Sequence, residues 1–119
     1  MNKELMKGSI DILILSLIAQ KDMYGFEIIK NLKARSNNTY SMSEGTLYPA
    51  LQRLEQKELL KSYWGDSETG GRRKYYNITE TGKKELIKKM DEWDQINNIV
   101  NSCKEGFVWT DLKNTLSMF

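Results

Sequence analysis

The stretch Gly70-Gly71-Arg72-Arg73-Lys74 carries residue types that suit binding chemistry. Glycines let a backbone approach a partner closely, and three consecutive cations suit phosphate oxygens. A second set lies upstream, where Thr46, Tyr48, Gln52 and Arg53 fall within about two turns of a helical pattern. Their hydroxyl, amide and guanidinium groups can read base edges or hold phosphates. Tyr24 opens another helical pattern, where a hydroxyl and free backbone amides can hold a phosphate. Each feature has a plainer reading beside it. A basic triplet at a hairpin tip can be a solvated loop. Tyr48 can be a core ring, and Arg53 can pair with Glu55 or Glu58.

Catalytic chemistry finds little support. The chain has no histidine, so the commonest metal ligand and the usual general base are missing. No paired-carboxylate constellation and no phosphate-binding loop stands out. The single cysteine, Cys103, excludes an intramolecular disulfide and a Cys/His zinc site. Only Lys104 lies close to it in sequence, so an inert packing role is expected. The expectation is a non-enzyme with no metal and no cofactor.

Global charge does not decide the partner. Eighteen basic residues stand against 16 acidic ones, a net of +2, so nucleic-acid binding must rest on local clustering. The 119 residues allow one ordinary domain, or a small domain with a helical appendage. At 39% apolar residues the core is thin, which points to an elongated shape or to a surface completed by a second subunit. The apolar run Ile12–Ala19 spans 8 residues, far short of the roughly 20 that cross a bilayer. A buried first helix and a cytoplasmic protein without a membrane partner are expected.

The elements that must position these groups follow from periodicity. Leu5, Met6, Ile10, Leu13, Leu17 and Ile18 predict one helix over about residues 5–19. Ile28, Ile29 and Leu32 predict a second over about 24–34, ended by an Asn37-Asn38 turn. Leu47, Leu51 and Leu54 predict a third over about 43–57, with Ser43 as N-cap. Pro49 implies that this helix starts late or relaxes at Gly45. The period then falls to two: residues 60–64 and 73–78 read as a hairpin, with the turn-rich stretch 65–71 between them. Tyr75 and Tyr76 must point to opposite faces, so only one joins the core. Thr79 caps a long helix whose face carries Leu86, Ile87, Met90, Trp93, Ile96, Ile99, Val100 and Cys103. Nothing in a small domain covers that whole stripe. The tail, with Phe107, Val108, Trp109, Leu112, Leu116, Met118 and Phe119, is too apolar to hang free.

The fold class is therefore mainly α with a small β-hairpin. Three helices and a two-stranded wing form a winged helix-turn-helix over residues 1–78. A dimerisation helix (79–105) and an apolar tail (106–119) packed on its own or a partner subunit follow. In such folds the third helix can enter the major groove, with the wing beside a phosphate path or minor groove.

Three blocks then carry a resemblance: Tyr24-Gly25-Phe26-Glu27-Ile28, Glu44-Gly45-Thr46-Leu47-Tyr48-Pro49-Ala50-Leu51-Gln52-Arg53-Leu54-Glu55, and Gly70-Gly71-Arg72-Arg73-Lys74-Tyr75-Tyr76-Asn77-Ile78-Thr79-Glu80-Thr81-Gly82. Together they resemble the PadR family of bacterial transcriptional regulators over roughly residues 5–100. The short length, the stretch Ser62-Tyr63-Trp64-Gly65-Asp66 and Trp93 are similar to its small, multidrug-sensing, LmrR-like subgroup. The resemblance implies a homodimeric repressor that binds a palindromic operator and controls a transporter or detoxification operon. It places DNA contacts on Thr46, Tyr48, Arg53, Arg72, Arg73 and Lys74, and implies half-sites roughly 34–36 Å apart. It also implies that Trp93 faces its symmetry mate across a pore in which a flat aromatic effector stacks. Met90, Asn97 and Met6 are candidate ligand-lining residues, or simply packing. Asn97 hydrogen-bonds but supplies no charge for a cationic drug, and Phe107 and Trp109 can themselves fill the pore. The alternative is a winged-helix protein-interaction module without a specific DNA target.

Overall fold

The computed structural model describes residues 3–117; Met118 and Phe119 lie outside the described residues, as does the side chain of Leu5. Two compact units divide the chain, Met1–Ile87 and Lys88–Phe119. The first contains α1 (Lys3–Lys7), α2 (Ile10–Gln20), β1 (Met23–Tyr24), α3 (Gly25–Arg35), α4 (Glu44–Gln56), β2 (Leu60–Asp66), β3 (Arg72–Ile78) and the start of α5 (Glu80–Lys104).

The single first helix expected from periodicity is two helices. Both the Ser9 amide and its hydroxyl donate to the Met6 carbonyl, at 2.9 and 3.0 Å, and so turn the chain at Gly8-Ser9. Ile14, Leu15, Leu17 and Ile18 are the buried residues of α2, whereas Ile10 and Leu13 are half-buried. The buried stripe is broader than a one-sided pattern because α2 is the central helix. It packs on α3, α4 and β3 together.

The third helix starts where its cap places it. Ser43 Oγ accepts from the Thr46 amide at 3.2 Å, and α4 begins at Glu44 rather than late. Pro49 therefore sits inside the helix, where its missing N–H falls opposite the exposed Gly45. Leu47, Leu51 and Leu54 are completely buried, as their spacing demands. At the other end Glu58 adopts φ 62°, and the Leu59 amide returns to the Leu54 carbonyl at 3.0 Å, which closes the helix.

The hairpin carries a third strand. β1 pairs with β3 through Met23↔Tyr76 and Tyr24↔Tyr75, and gives an antiparallel sheet in the order β1-β3-β2. Two residues are too few to show a period, so the sequence did not display β1. Ser67, the buried residue of the tip, gives its hydroxyl to the Gly70 carbonyl at 2.7 Å. Gly70 and Gly71 take φ of 94° and 84°, so the tip requires glycine for backbone conformation.

Leu59, Leu60, Tyr76 and Ile78 bring the sheet onto the helical core, and each fully buried leucine is worth about 1.5–3 kcal/mol. Thr79 then joins the sheet to α5. Its hydroxyl donates to the Glu58 carbonyl at 2.7 Å and accepts from the Gly82 amide at 2.9 Å. A Cβ at Gly82 would lie 2.2 Å from the Leu59 carbonyl oxygen, so this approach needs glycine.

The second unit holds the remainder of α5 and α6 (Trp109–Ser117). Every described residue from 90 to 117 is exposed in the single chain. Within this unit Phe107 and Trp109 place their rings 6.0 Å apart, and the Lys104 and Lys113 ammonium groups approach the Trp109 face. No helix among the described residues is long and apolar enough to cross a membrane.

Candidate nucleic-acid interface

Strand alternation divides the basic triplet. Arg72, Lys74, Tyr76 and Ile78 share one face with Leu60, Ser62 and Trp64; Arg73, Tyr75 and Asn77 share the other with Lys61, Tyr63 and Gly65. The inner of these faces meets α4. There the Ser62 hydroxyl donates to the Glu55 carboxylate, and Lys74 Nζ stands 3.8 Å from the same group. Farther out, the Arg72 guanidinium lies over the Trp64 ring, 6.0 Å from its centre.

The opposite face is a tyrosine cluster. Tyr75 stacks on Tyr63 at 5.7 Å and meets Tyr24 edge-on at 5.4 Å. Arg73 reaches over the Tyr24 ring at 5.8 Å. Asp22 fixes the cluster by accepting from the Tyr63 hydroxyl at 2.5 Å and from Asn77 Nδ2 at 2.9 Å. The hydrogen bond to Asp22 pushes the Tyr63 phenol up to about 12, with desolvation adding to it.

Tyr48 is no core residue: 45% of it remains exposed. Its ring lies over Gly25 at the start of α3, where an added Cβ would meet the hydroxyl at 2.6 Å. Beside it opens a concavity of about 320 Å³ lined by Tyr24, Gly25, Phe26, Tyr48, Arg73, Lys74 and Tyr76. Two cations, three tyrosines and the positive end of an eleven-residue helix meet there, a set suited to a phosphate. The Tyr24 amide is itself tied to Glu27 Oε1 at 3.3 Å, which fixes the first turn of α3 beside the concavity.

Residues 14–88 match the transcriptional regulator PadR-like family, well over half of the chain. The chain belongs to this family. A protein of Lysinibacillus sphaericus described only as uncharacterized protein X is 43% identical over 87% of this chain and 94% of its own length. A transcriptional regulator from Clostridium thermocellum has a similar structure, with a TM-score of 0.77 at 38% identity, covering 84% of this chain and 97% of that one. A PadR family regulator from Clostridium difficile is 46% identical with a TM-score of 0.68, over 79% of this chain and 96% of that one. PadR-like proteins are transcriptional regulators rather than enzymes; they bind DNA and typically dimerise.

Within this PadR-like chain, four of the residues singled out by sequence come together in the one concavity: Tyr24, Tyr48, Arg73 and Lys74. Arg72 stands on the inner wing face, and Gln52 is exposed on α4. Thr46 is half-buried at the head of α4, where its hydroxyl accepts from Ser43 Oγ at 3.1 Å. Arg53 pairs with neither Glu55 nor Glu58. Its guanidinium grips Asp11 of α2 in a fork, with contacts of 2.9 and 2.7 Å, and those hydrogen bonds raise its pKa. That fork joins α4 to α2 across 42 positions of sequence, a partner that no local spacing signals.

Phe26 and Trp64 escaped the sequence reading as surface groups, yet they are 54% and 60% exposed. Alternation offered a signal for Trp64, because it shares a face with Lys74 in the hairpin register. The candidate ligand residues divide between the units. Met90, Trp93 and Asn97 lie exposed on α5 in the second. Met6 lies in the first, in a groove of about 400 Å³ with Ile10, Tyr40 and Thr46.

Proposed function

We propose that this regulator is a homodimeric repressor. Its α4 and wing engage a palindromic operator upstream of a transporter or detoxification operon. The convergence of Tyr24, Tyr48, Arg73 and Lys74 on the start of α3 carries this reading, since these groups suit one backbone phosphate. Gln52 then faces base edges, Arg72 serves a second phosphate, and Thr46 steadies the head of α4. Arg53 acts through Asp11 by holding α4 at its angle. The second copy covers the α5 stripe of Ile87, Met90, Trp93, Ile96 and Val100, whose exposure in a single chain supports such a use.

A flat aromatic effector stacks at Trp93, beside Met90 and Asn97, and releases the operator. It acts only by favouring one dimer geometry over the other. The test is selection of random and genomic duplexes by the purified protein at two salt concentrations. An enriched palindrome, bound with a steep salt dependence, is expected. Replacing Arg72 and Arg73 together by alanine is expected to weaken it at least about tenfold. Absence of any enriched sequence, with a stable protein partner instead, would overturn the operator reading in favour of an interaction module. An aromatic compound that quenches Trp93 fluorescence yet leaves operator affinity unchanged would overturn the effector.

A further inference from the structure

The wing carries an aromatic side chain that the fold does not use. Trp64 is 60% exposed, although indole is a large apolar group and is costly to leave in water. The tyrosines of the opposite face satisfy one another: Tyr75 stacks on Tyr63 and meets Tyr24 edge-on, and the Tyr63 hydroxyl is held by Asp22. The Arg72 guanidinium lies over the Trp64 ring, 6.0 Å from its centre. Its place in the register is informative. Ser62 and Tyr76 form the pair anchored to α4 through Glu55, and Trp64 with Lys74 is the next pair outward on that same face. Trp64 therefore lies immediately beyond the proposed phosphate site, on the side of the wing that meets α4.

Charge around it sets the kind of contact. Arg72 stands opposite Asp66 in register, and Lys74 is near Glu55, so cations and carboxylates on this face are balanced. A balanced face with a bare indole suits the apolar sugar edge of a groove rather than a phosphate. Arg72, resting on the indole, is held beside that edge where the adjacent phosphate would fall.

We infer that Trp64 is a non-ionic DNA contact of the wing, an apolar wedge packed against the sugar edge of the minor groove with Arg72 braced on its face. This rests on the operator reading above and adds an affinity-determining contact to it. The two side chains must then fail differently. Loss of an apolar contact lowers affinity equally at every salt concentration, whereas loss of a phosphate contact lowers the salt slope by about one.

The experiment measures affinity for the duplex selected by the wild-type protein across a salt series, for Trp64→Ala, Trp64→Phe and Arg72→Ala. Trp64→Ala is expected to bind about tenfold more weakly throughout, with an unchanged slope. Trp64→Phe should recover most of the loss, and Arg72→Ala should flatten the slope. Because Trp64 is exposed, melting temperature and dimer state should not move. A second readout uses wild-type protein labelled with fluorotryptophan: the fluorine signal missing from Trp64→Phe should shift when duplex is added. Wild-type affinity in Trp64→Ala, a slope change in that variant, or a fluorine signal indifferent to DNA overturns the inference and leaves the operator reading standing. A wild-type protein that binds no duplex overturns both.

Discussion

Residues 10–86 and residues 87–117 carry apolar side chains at the same three-and-four spacing, but their fates differ. In the first set Ile14, Leu15, Ile28, Leu47, Leu51 and Leu54 lie at 0% exposure. In the second, Ile87, Ile96, Ile99 and Val100 stay between 47% and 63% exposed. Periodicity specifies which side chains share a face and says nothing of what covers it. In the first set α2, α3, α4 and the sheet cover one another, whereas the stripe of the second set is exposed in the single chain. Cooperative stability should therefore reside in the first unit, and association in the second.

The largest expected effect tests that contrast directly. Leu51→Ala should cost about 3–4 kcal/mol in chemical denaturation, through lost burial and the cavity left behind. Ile96→Asp should instead weaken self-association in sedimentation, and leave the cooperative transition of the first unit intact at high dilution. Equal damage from both would break the comparison.

Next come two glycines that separate backbone from side-chain crowding. Gly82→Ala forces a methyl against the Leu59 carbonyl at 2.2 Å, and should cost about 2–3 kcal/mol in a thermal melt. At Gly25 the obstacle is the end of the exposed Tyr48 ring, which can swing away. Gly25→Ala should therefore cost less stability while disturbing the DNA-facing concavity, as a fall in operator affinity would report.

The Arg53–Asp11 fork should be smaller. Its partners are partly solvated, with side-chain exposures of 44% and 18%, so a double-mutant cycle on Arg53→Ala and Asp11→Ala should find about 0.5–1 kcal/mol of coupling. A coupling near zero together with strong loss of DNA binding in Arg53→Ala alone would return Arg53 to the base-reading set.

The smallest effect is pH-dependent. Hydrogen bonding to Asp22 raises the Tyr63 phenol from 10.0 to about 12 in the folded chain. The unfolded chain loses that proton first, so this contribution is present below pH ~10 and is lost as pH climbs towards ~12. Tyr63→Phe should flatten the stability curve in that window, and ultraviolet titration of the native protein should show one late phenol that is absent from the variant.

Much of the fold was legible in the sequence. The leucines of α4, the Ser43 cap, the Thr79 cap and the alternation of Tyr75 and Tyr76 are local signals, and each acts within a few residues. The breaks in legibility have local causes too. Gly8-Ser9 interrupts a continuous apolar pattern through two bonds to one carbonyl, and β1 is too short to show a period. The candidate site was half legible. Its hydroxyls and cations could be named, but their grouping could not. Arg73 and Lys74 are neighbours in sequence on opposite strand faces, and both still line one concavity with Tyr24 and Tyr48.

By itself the sequence determined the succession of α3, α4, the hairpin and α5, the caps at Ser43 and Thr79 and the turn at Gly70-Gly71, because caps, periods and left-handed backbone positions are decided by near neighbours. The three blocks of motif also marked the PadR family. Tertiary structure alone decided that Arg53 meets Asp11, that Tyr48 covers Gly25, and that Trp64 stays uncovered beside Arg72. Those outcomes depend on groups brought together from distant positions, and no pattern confined to one helix or strand contains that information.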